Sequence, residues 1–196
     1  SGELPDDIAI LSASRVAPRF QVSQLALEKT YAYTILQGTI RDPFLRARSW
    51  RVSERLNHQL MRREAALLLG THDFAAFRGR NDFRTETVRT ISDVAITESP
   101  LMPRCLQIRV TGNRFLYHMM RIISGTLVDV GRGKCPPQAV SRAIASGDRL
   151  ELGMTAPAAG LCLENIVLRT QGTDEWPYHL DGEPAVDGTA LQCADS

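Results

Sequence analysis

The 196-residue sequence is poor in features that mark several protein classes. It has no continuous apolar run of the roughly eighteen residues that a membrane-spanning helix needs, so no such helix is predicted. Its only cysteines are Cys105, Cys135, Cys162 and Cys193, and no pair forms C-x-x-C or stands at zinc-like spacing from a histidine. We therefore expect reduced thiols in an intracellular protein, with no metal site and no disulfide framework.

Lysine is also scarce, because 21 of the 23 basic residues are arginine. The net charge of +1 hides an uneven distribution. Residues 15–169 contain every basic residue but only 13 of the 22 acidic ones, which gives this span a charge of +10 between two acidic ends. A basic, arginine-rich body is typical of proteins that bind RNA or DNA. A GC-rich genome that favours arginine codons would produce the same composition, so charge alone leaves both explanations open.

Hydrophobic periodicity predicts strands and helices in an uneven order. Strands are predicted at residues 8–11, 29–36, 88–96, 105–110 and 160–168, and helices at residues 53–69, 115–130 and 136–146. Ser53 is expected to cap the first helix and Gly70 to end it, while Gly131 and Gly147 end the other two. This order indicates an α+β domain in residues 1–170. Residues 171–196 are acidic and turn-rich, which predicts a flexible tail.

Two residues have ambiguous roles when judged from the pattern alone. Arg121 lies in a helix that is apolar on nearly all faces, where an unpaired guanidinium is costly. We therefore expect a carboxylate or a phosphate to contact it, and a structural salt bridge within this chain satisfies that need as well as a functional partner does. Tyr31 shares a predicted strand face with Tyr33, and its ring suits core packing as well as a site.

Familiar catalytic motifs are missing. The segment 131–134 reads G-R-G-K, but it lacks the spacing of a phosphate-binding loop and follows a helix instead of a strand. There is no G-x-S-x-G, and His72 and His118 are too isolated in the sequence to suggest a triad.

Five segments, in order along residues 4–168, resemble the TruA-type tRNA pseudouridine synthases. They are L-P-D-D-I at 4–8, K-T-Y-A-Y at 29–33, L-G-T-H-D-F-A-A-F-R at 69–78, the helix signature at 113–131, and G-L-C-L at 160–163. Each segment is short, but five in the family's order are hard to obtain by chance. The resemblance implies the pseudouridine synthase fold, which has a mixed, largely antiparallel sheet with helices packed on one face.

The resemblance also implies an activity, the isomerisation of uridine to pseudouridine in tRNA or other structured RNA. Members flip the uridine out of the stack and attack it with an aspartate. They need no metal or organic cofactor, and they usually act as homodimers with tRNA in a basic cleft. By position, Arg121 pairs with the aspartate, Tyr31 packs on the base and moves the C5 proton, and Leu161 forms an apolar wall. Phe77, Arg78 and His118 are further substrate-binding candidates, and the loop at 78–84 is a candidate for selecting the uridine.

Two departures from the family pattern are visible. The R-T-D-x-G-V-H loop that carries the nucleophile does not occur in these 196 residues, so we assign no catalytic aspartate and expect this chain to be inactive alone. The family's F-H-A-R is replaced by F-Q-V-S at residues 20–23. The alternative is therefore an inactive relative that binds RNA or assembles a ribonucleoprotein. An unrelated RNA-recognition module is disfavoured because its aromatic signature is missing.

Overall fold

The computed structural model describes residues 4–5, 7–11, 13, 16, 20–99, 102 and 104–169. The chain divides into two units, Ala26–Val167 and a smaller one made of Ser1–Leu25 with Leu168–Ser196. In the smaller unit, helix α1 (Val22–Leu25) ends at Leu25, whose carbonyl accepts a hydrogen bond from the Arg169 N–H at 2.8 Å. The predicted tail at 171–196 lies outside the described residues. None of the helices in the described part of the chain is long and apolar enough to cross a bilayer.

The larger unit is built on a six-stranded sheet. Its strands are β1 (Ala26–Gln37), β2 (Trp50–Val52), β3 (Gly70–Asp73), β4 (Val88–Glu98), β5 (Cys105–Gly112) and β6 (Leu161–Leu168). The order is β2-β1-β5-β4-β3, with β6 also paired to β1. The β1/β2 pair is parallel, whereas β1/β5, β5/β4 and β4/β3 are antiparallel. The prediction of a mixed, largely antiparallel sheet is therefore confirmed.

One face of the sheet forms the core because apolar residues alternate along the central strands. Tyr33 lies opposite Ile108 on β5, and Ile35 lies opposite Leu106, and all four are fully buried. Helices α2 (His58–Ala66) and α3 (Met119–Gly131) bury their apolar residues in the same cluster. On the other face, Arg109 forms an ion pair with Glu164 of β6 at 2.7 Å. The alternation thus gives the sheet one face that packs on the helices and a mixed second face, which carries the buried Leu36 and Cys105 as well as the Arg109–Glu164 pair.

The helices begin later than the sequence pattern predicts. Helix α2 begins at His58 and is capped by Asn57, whose side chain accepts a hydrogen bond from the Leu60 N–H at 3.1 Å. The predicted cap at Ser53 is wrong, because its hydroxyl is bonded to the Glu54 carboxylate. Helix α3 begins at Met119 instead of residue 115, since His118 has φ 60° and cannot belong to a right-handed helix.

Two of the three predicted helix ends are confirmed, whereas the end predicted at Gly70 is wrong because α2 ends at Ala66 and Gly70 begins β3. Helix α3 ends at Gly131, and α4 (Ala139–Ser146) is closed by Gly147 in the left-handed conformation. The strand predicted at residues 8–11 is wrong. These residues form no strand, and Ile10 and Leu11 are exposed. A short apolar run without a pairing partner does not make a strand.

The segment 153–156 lies directly on α3. The Thr126 hydroxyl accepts a hydrogen bond from the Gly153 N–H (3.1 Å), the Asp129 carboxylate accepts one from the Met154 N–H (2.8 Å), and the Arg121 carbonyl accepts one from the Ala156 N–H (3.0 Å). This approach requires glycine at position 125. A Cβ atom there would stand 1.8 Å from the Met154 carbonyl oxygen.

We predict that Gly125→Ala lowers the free energy of unfolding by about 2 kcal/mol, because the segment 153–156 must move away from α3. Gly133→Ala is the matched control. Its Cβ would have no neighbour within 4 Å, so only the positive φ of 72° is penalised, at about 1 kcal/mol. Urea denaturation of the variants measures both changes. Equal losses would show that the close contact with Met154 has no special cost.

Candidate active site

A cavity of about 300 Å³ lies where β1, the beginning of α3 and the beginning of β6 meet. Four of the six residues singled out in the sequence line it, namely Tyr31, His118, Arg121 and Leu161. The remaining lining residues are Arg84, Phe115, Leu116, Tyr117, Met119 and Met120. The fold therefore brings together side chains that are up to 130 positions apart in the sequence, from Tyr31 to Leu161.

Arg121 is the one residue of α3 that is not buried, and its guanidinium reaches the cavity. Its Nε donates a hydrogen bond to the Ala156 carbonyl at 2.7 Å, and one terminal nitrogen lies 3.1 Å from Nε2 of His118. No carboxylate of the residues that the structure describes forms an ion pair with it. The internal salt bridge that would explain Arg121 structurally is thus not found among these residues.

The two tyrosines of β1 differ in their surroundings. Tyr33 is fully buried, and its hydroxyl donates a hydrogen bond to the Pro157 carbonyl at 2.6 Å. Tyr31 is only half-buried, and its ring packs edge-on against Phe115 with 4.9 Å between ring centroids. The Tyr31 hydroxyl has no hydrogen-bond partner among the described residues. Burial raises the pKa of Tyr31, so the phenol is protonated at neutral pH.

His118 has an unusual backbone and an unusual ring environment. Its φ of 60° is rare for a residue other than glycine, and its ring stacks on Tyr117 at 3.8 Å. Burial, and to a smaller extent the charge of Arg121, lowers the pKa of His118 below the ordinary 6.5. A neutral ring can accept a hydrogen bond at Nε2, and a guanidinium can only donate. The two side chains therefore stabilise each other while His118 is uncharged.

The loop at 78–84 holds the cavity wall in place through Asp82 and Arg84. Asp82 is buried, and its carboxylate accepts hydrogen bonds from the N–H groups of Tyr117 (2.8 Å) and Arg84 (3.1 Å). Burial acts to raise the pKa of Asp82, but these bonds and the charges of Arg84 and Arg78 outweigh it and lower the pKa. The Arg84 guanidinium in turn donates to the Phe115 carbonyl at 3.2 Å.

Two of the predicted substrate-binding residues do not line the cavity. Phe77 is fully buried, with its ring edge-on to Phe74 at 5.3 Å, so it packs in the core. Arg78 donates a hydrogen bond to the Arg84 carbonyl at 2.6 Å and thereby supports the loop next to the cavity. Asp82 and Arg84 were missed because their partners lie more than thirty positions away in the sequence. The cluster of arginines at 78–84 was the only feature of the sequence that pointed to this loop.

The cavity combines apolar walls with two arginine side chains, Arg84 and Arg121. Tyr31, Phe115 and Leu161 provide flat or apolar surface, while Arg121 provides a guanidinium with capacity for a further acceptor. Such a site suits a flat, partly polar ring together with a carboxylate. In the described part of the chain, no group of three or more His, Cys, Asp or Glu side chains is arranged to hold a metal ion.

We predict that Arg121→Met raises the pKa of His118 but leaves it below 6.5, because the charge disappears while burial, the larger cause, remains. NMR titration of the His118 ring measures the change. Arg114→Met is the control, since Arg114 is exposed on the preceding turn and is not among the groups that shift this pKa. A wild-type pKa at or above 6.5 would contradict the described environment.

The same shift makes stability depend on pH. As the pH falls below 6.5, the His118 ring becomes protonated in the unfolded chain before it does in the folded one. The free energy of unfolding therefore decreases as the pH falls from 6.5 to the lower pKa of His118 in the folded protein. Protonation also removes the acceptor at Nε2 that faces Arg121.

Comparison with known proteins identifies the family. A family model described as tRNA pseudouridine synthase matches residues 65–167, which include most of the cavity lining.

Three relatives are each named tRNA pseudouridine synthase A. They come from Pelobacter propionicus (45% identical over 163 residues), Geotalea daltonii (42% over 163) and Syntrophotalea carbinolica (40% over 168). The alignments cover 83–86% of this chain and 66% of each relative, so the chain spans just under two thirds of the length of these relatives. With a family model matched over more than half of its residues, this chain belongs to the tRNA pseudouridine synthase family.

Proposed function

We propose that this chain is the C-terminal part of the catalytic region of an enzyme that isomerises uridine to pseudouridine in tRNA or other structured RNA. The observation that carries the proposal is the Arg121 guanidinium, which faces a base-sized cavity and has no carboxylate partner among the described residues. The family relationship and the +10 charge of residues 15–169 support it.

The cavity receives the target uridine after the base has left the RNA stack. Enzymes that act on a base must extrude it, and the extruded base then needs a pocket that replaces its stacking partners. The Tyr31 ring and the Leu161 side chain both line this pocket and contact the base in the proposed complex. Tyr31 is itself supported by Phe115, so its ring is held in place before the base arrives.

Arg121 aligns the nucleophile in this mechanism. We propose that an aspartate from outside these 196 residues approaches the guanidinium, which keeps the carboxylate ionised and directed at the sugar or the base. The bonds from Arg121 to Ala156 and His118 fix the orientation of the guanidinium fork. The N-glycosidic bond then breaks, the uracil turns within the cavity, and its C5 carbon bonds to the ribose.

Tyr31 moves the C5 proton after the uracil has rejoined the ribose. The C5 carbon of the rejoined base must lose a proton, while N1 gains one. The Tyr31 hydroxyl, free of protein partners among the described residues, is the candidate to relay this proton, with the phenol oxygen accepting the C5 proton as its own O–H proton passes to solvent. The reaction needs no metal or organic cofactor. We further propose a homodimer that acts inside the cell, where tRNA is found.

A second candidate function is an RNA-binding or ribonucleoprotein assembly subunit without catalysis. The F-Q-V-S sequence at residues 20–23, in place of the family's F-H-A-R, favours it. The coding sequence upstream of Ser1 discriminates, because an intact R-T-D loop supports the enzyme and its absence supports the assembly role.

We predict that the complete gene product releases tritium from tRNA labelled at C5 of uridine, whereas the 196-residue chain alone releases none because it lacks the nucleophile. Release of the label measures turnover directly, since the C5–H bond breaks only when pseudouridine forms. If the complete gene product binds tRNA but releases no tritium, the enzyme hypothesis is wrong and the assembly role is supported. Release by the 196-residue chain would show that the nucleophile lies within it.

We also predict that Arg121→Ala in the complete gene product lowers kcat by about a thousandfold or more, because the nucleophile loses its aligning charge, while the Kd for tRNA changes only severalfold. Arg114→Ala is the control that removes a nearby exposed charge outside the cavity. Tritium release and filter binding separate the two effects. A large affinity loss with retained kcat would make Arg121 a phosphate contact.

A further inference from the structure

Phe83 is an aromatic residue held in solvent next to the cavity. Its exposed fraction is 87%, and no ring contact of Phe83 occurs among the described residues. It stands between Asp82 and Arg84, and both of these residues are bonded to the cavity wall at residues 115–117. The position of Phe83 in the fold is therefore fixed relative to the cavity mouth.

The loop around Phe83 is ordered by hydrogen bonds to its neighbours. The Asp82 carboxylate binds the N–H groups of Tyr117 and Arg84, and Arg78 donates to the Arg84 carbonyl at 2.6 Å. On the other side, the Gly79 N–H donates to the Tyr117 carbonyl at 2.9 Å. These bonds hold the backbone on both sides of Phe83 beside the cavity wall, and the phenyl ring stays exposed. An ordered loop that keeps a phenyl ring exposed indicates a partner for that ring.

The chemistry around the ring identifies the partner. Tyr117, which lines the cavity, is 48% exposed and already stacked on His118. The exposed Arg80 and Arg84 lie on either side of Phe83 in the sequence. Exposed aromatic rings interleaved with arginines are the pattern that binds unpaired nucleotides, with bases on the rings and phosphates on the cations. An apolar protein partner would not require this positive charge.

We propose that Phe83 and Tyr117 form a stacking platform for the nucleotides that flank the target uridine, with Arg80 and Arg84 binding the adjacent phosphates. The proposal rests on the function proposed above and adds how the substrate is recognised. When a base is extruded, each neighbour loses a stacking partner, and a ring at the cavity mouth compensates for part of that loss. Phe83 thereby favours uridines whose neighbours are able to unstack.

Tryptophan fluorescence tests the platform without any need for turnover. In Phe83→Trp, addition of tRNA should quench the new indole because a base stacks on it. Phe44→Trp is the matched control, since Phe44 is also highly exposed (91%) but does not line the cavity. We predict quenching for position 83 well above that for position 44. Equal quenching, or none at position 83 with tRNA bound, would overturn the platform.

Kinetics of the complete gene product supply the second test. Phe83→Ala should raise KM for tRNA about tenfold, with a smaller effect on kcat, and Phe83→Tyr should restore KM because the ring is kept. The tenfold increase in KM for Phe83→Ala should be the same at low and high salt. The increase in KM for Arg80→Gln should become smaller as the salt concentration rises. Unchanged KM in Phe83→Ala would overturn the proposal.

The two proposals fail in distinguishable ways. Absence of tritium release from the wild-type gene product removes the proposed activity but leaves the fluorescence result intact. Normal release together with unchanged KM in Phe83→Ala removes the platform alone. Sedimentation of the wild-type and Phe83→Ala proteins completes the design, because a change of oligomeric state would assign Phe83 to a subunit interface and contradict the platform.

Discussion

The pairing of α3 with the segment 153–156 is the constraint on which the cavity depends. Arg121 takes part twice, since its backbone carbonyl accepts a hydrogen bond from the Ala156 N–H and its Nε donates to the Ala156 carbonyl. Gly125 permits the approach, and the buried Asp129 carboxylate fixes Met154. Each such bond contributes only about 1 kcal/mol net. Together they set the direction of one guanidinium, and the same segment leads directly into Pro157, which holds Tyr33, and on to Leu161 in the cavity wall.

The cavity is built so that one charge is left for a partner. Within the described residues, the Arg121 guanidinium has only neutral acceptors, the Ala156 carbonyl and the His118 ring. A half-exposed guanidinium tolerates this because water still reaches part of it, so the desolvation penalty is modest. A carboxylate that enters the cavity therefore gains a charge-assisted, geometrically defined bond. The lowered pKa of His118 belongs to the same design, because a charged imidazole would repel the guanidinium.

The sequence was most informative where periodicity and local geometry decide the structure. Alternation along β1 predicted that Tyr31 and Tyr33 share a face, and Gly131 and Gly147 predicted helix ends, because those signals depend on neighbours within a few positions. The beginning of α3 was missed because nothing in the local sequence signals the positive φ of His118, and the loop that binds the adjacent Tyr117 is distant in the sequence. Resemblance placed Arg121, Tyr31 and Leu161 together, and the cavity contains all three. Neither the periodicity nor the family resemblance indicated Asp82, whose partner Tyr117 is 35 positions away.

The central claim is that this cavity receives the target uridine with its base beside Tyr31 and Leu161. A structure of the complete gene product bound to tRNA that carries 5-fluorouridine tests it most directly, because fluorine at C5 cannot leave as a proton and the base is retained. The account predicts a modified or intact pyrimidine ring inside the cavity, with Arg121 paired to a carboxylate. A target base that remains stacked in the RNA, with Arg121 bound to a backbone phosphate, would contradict it.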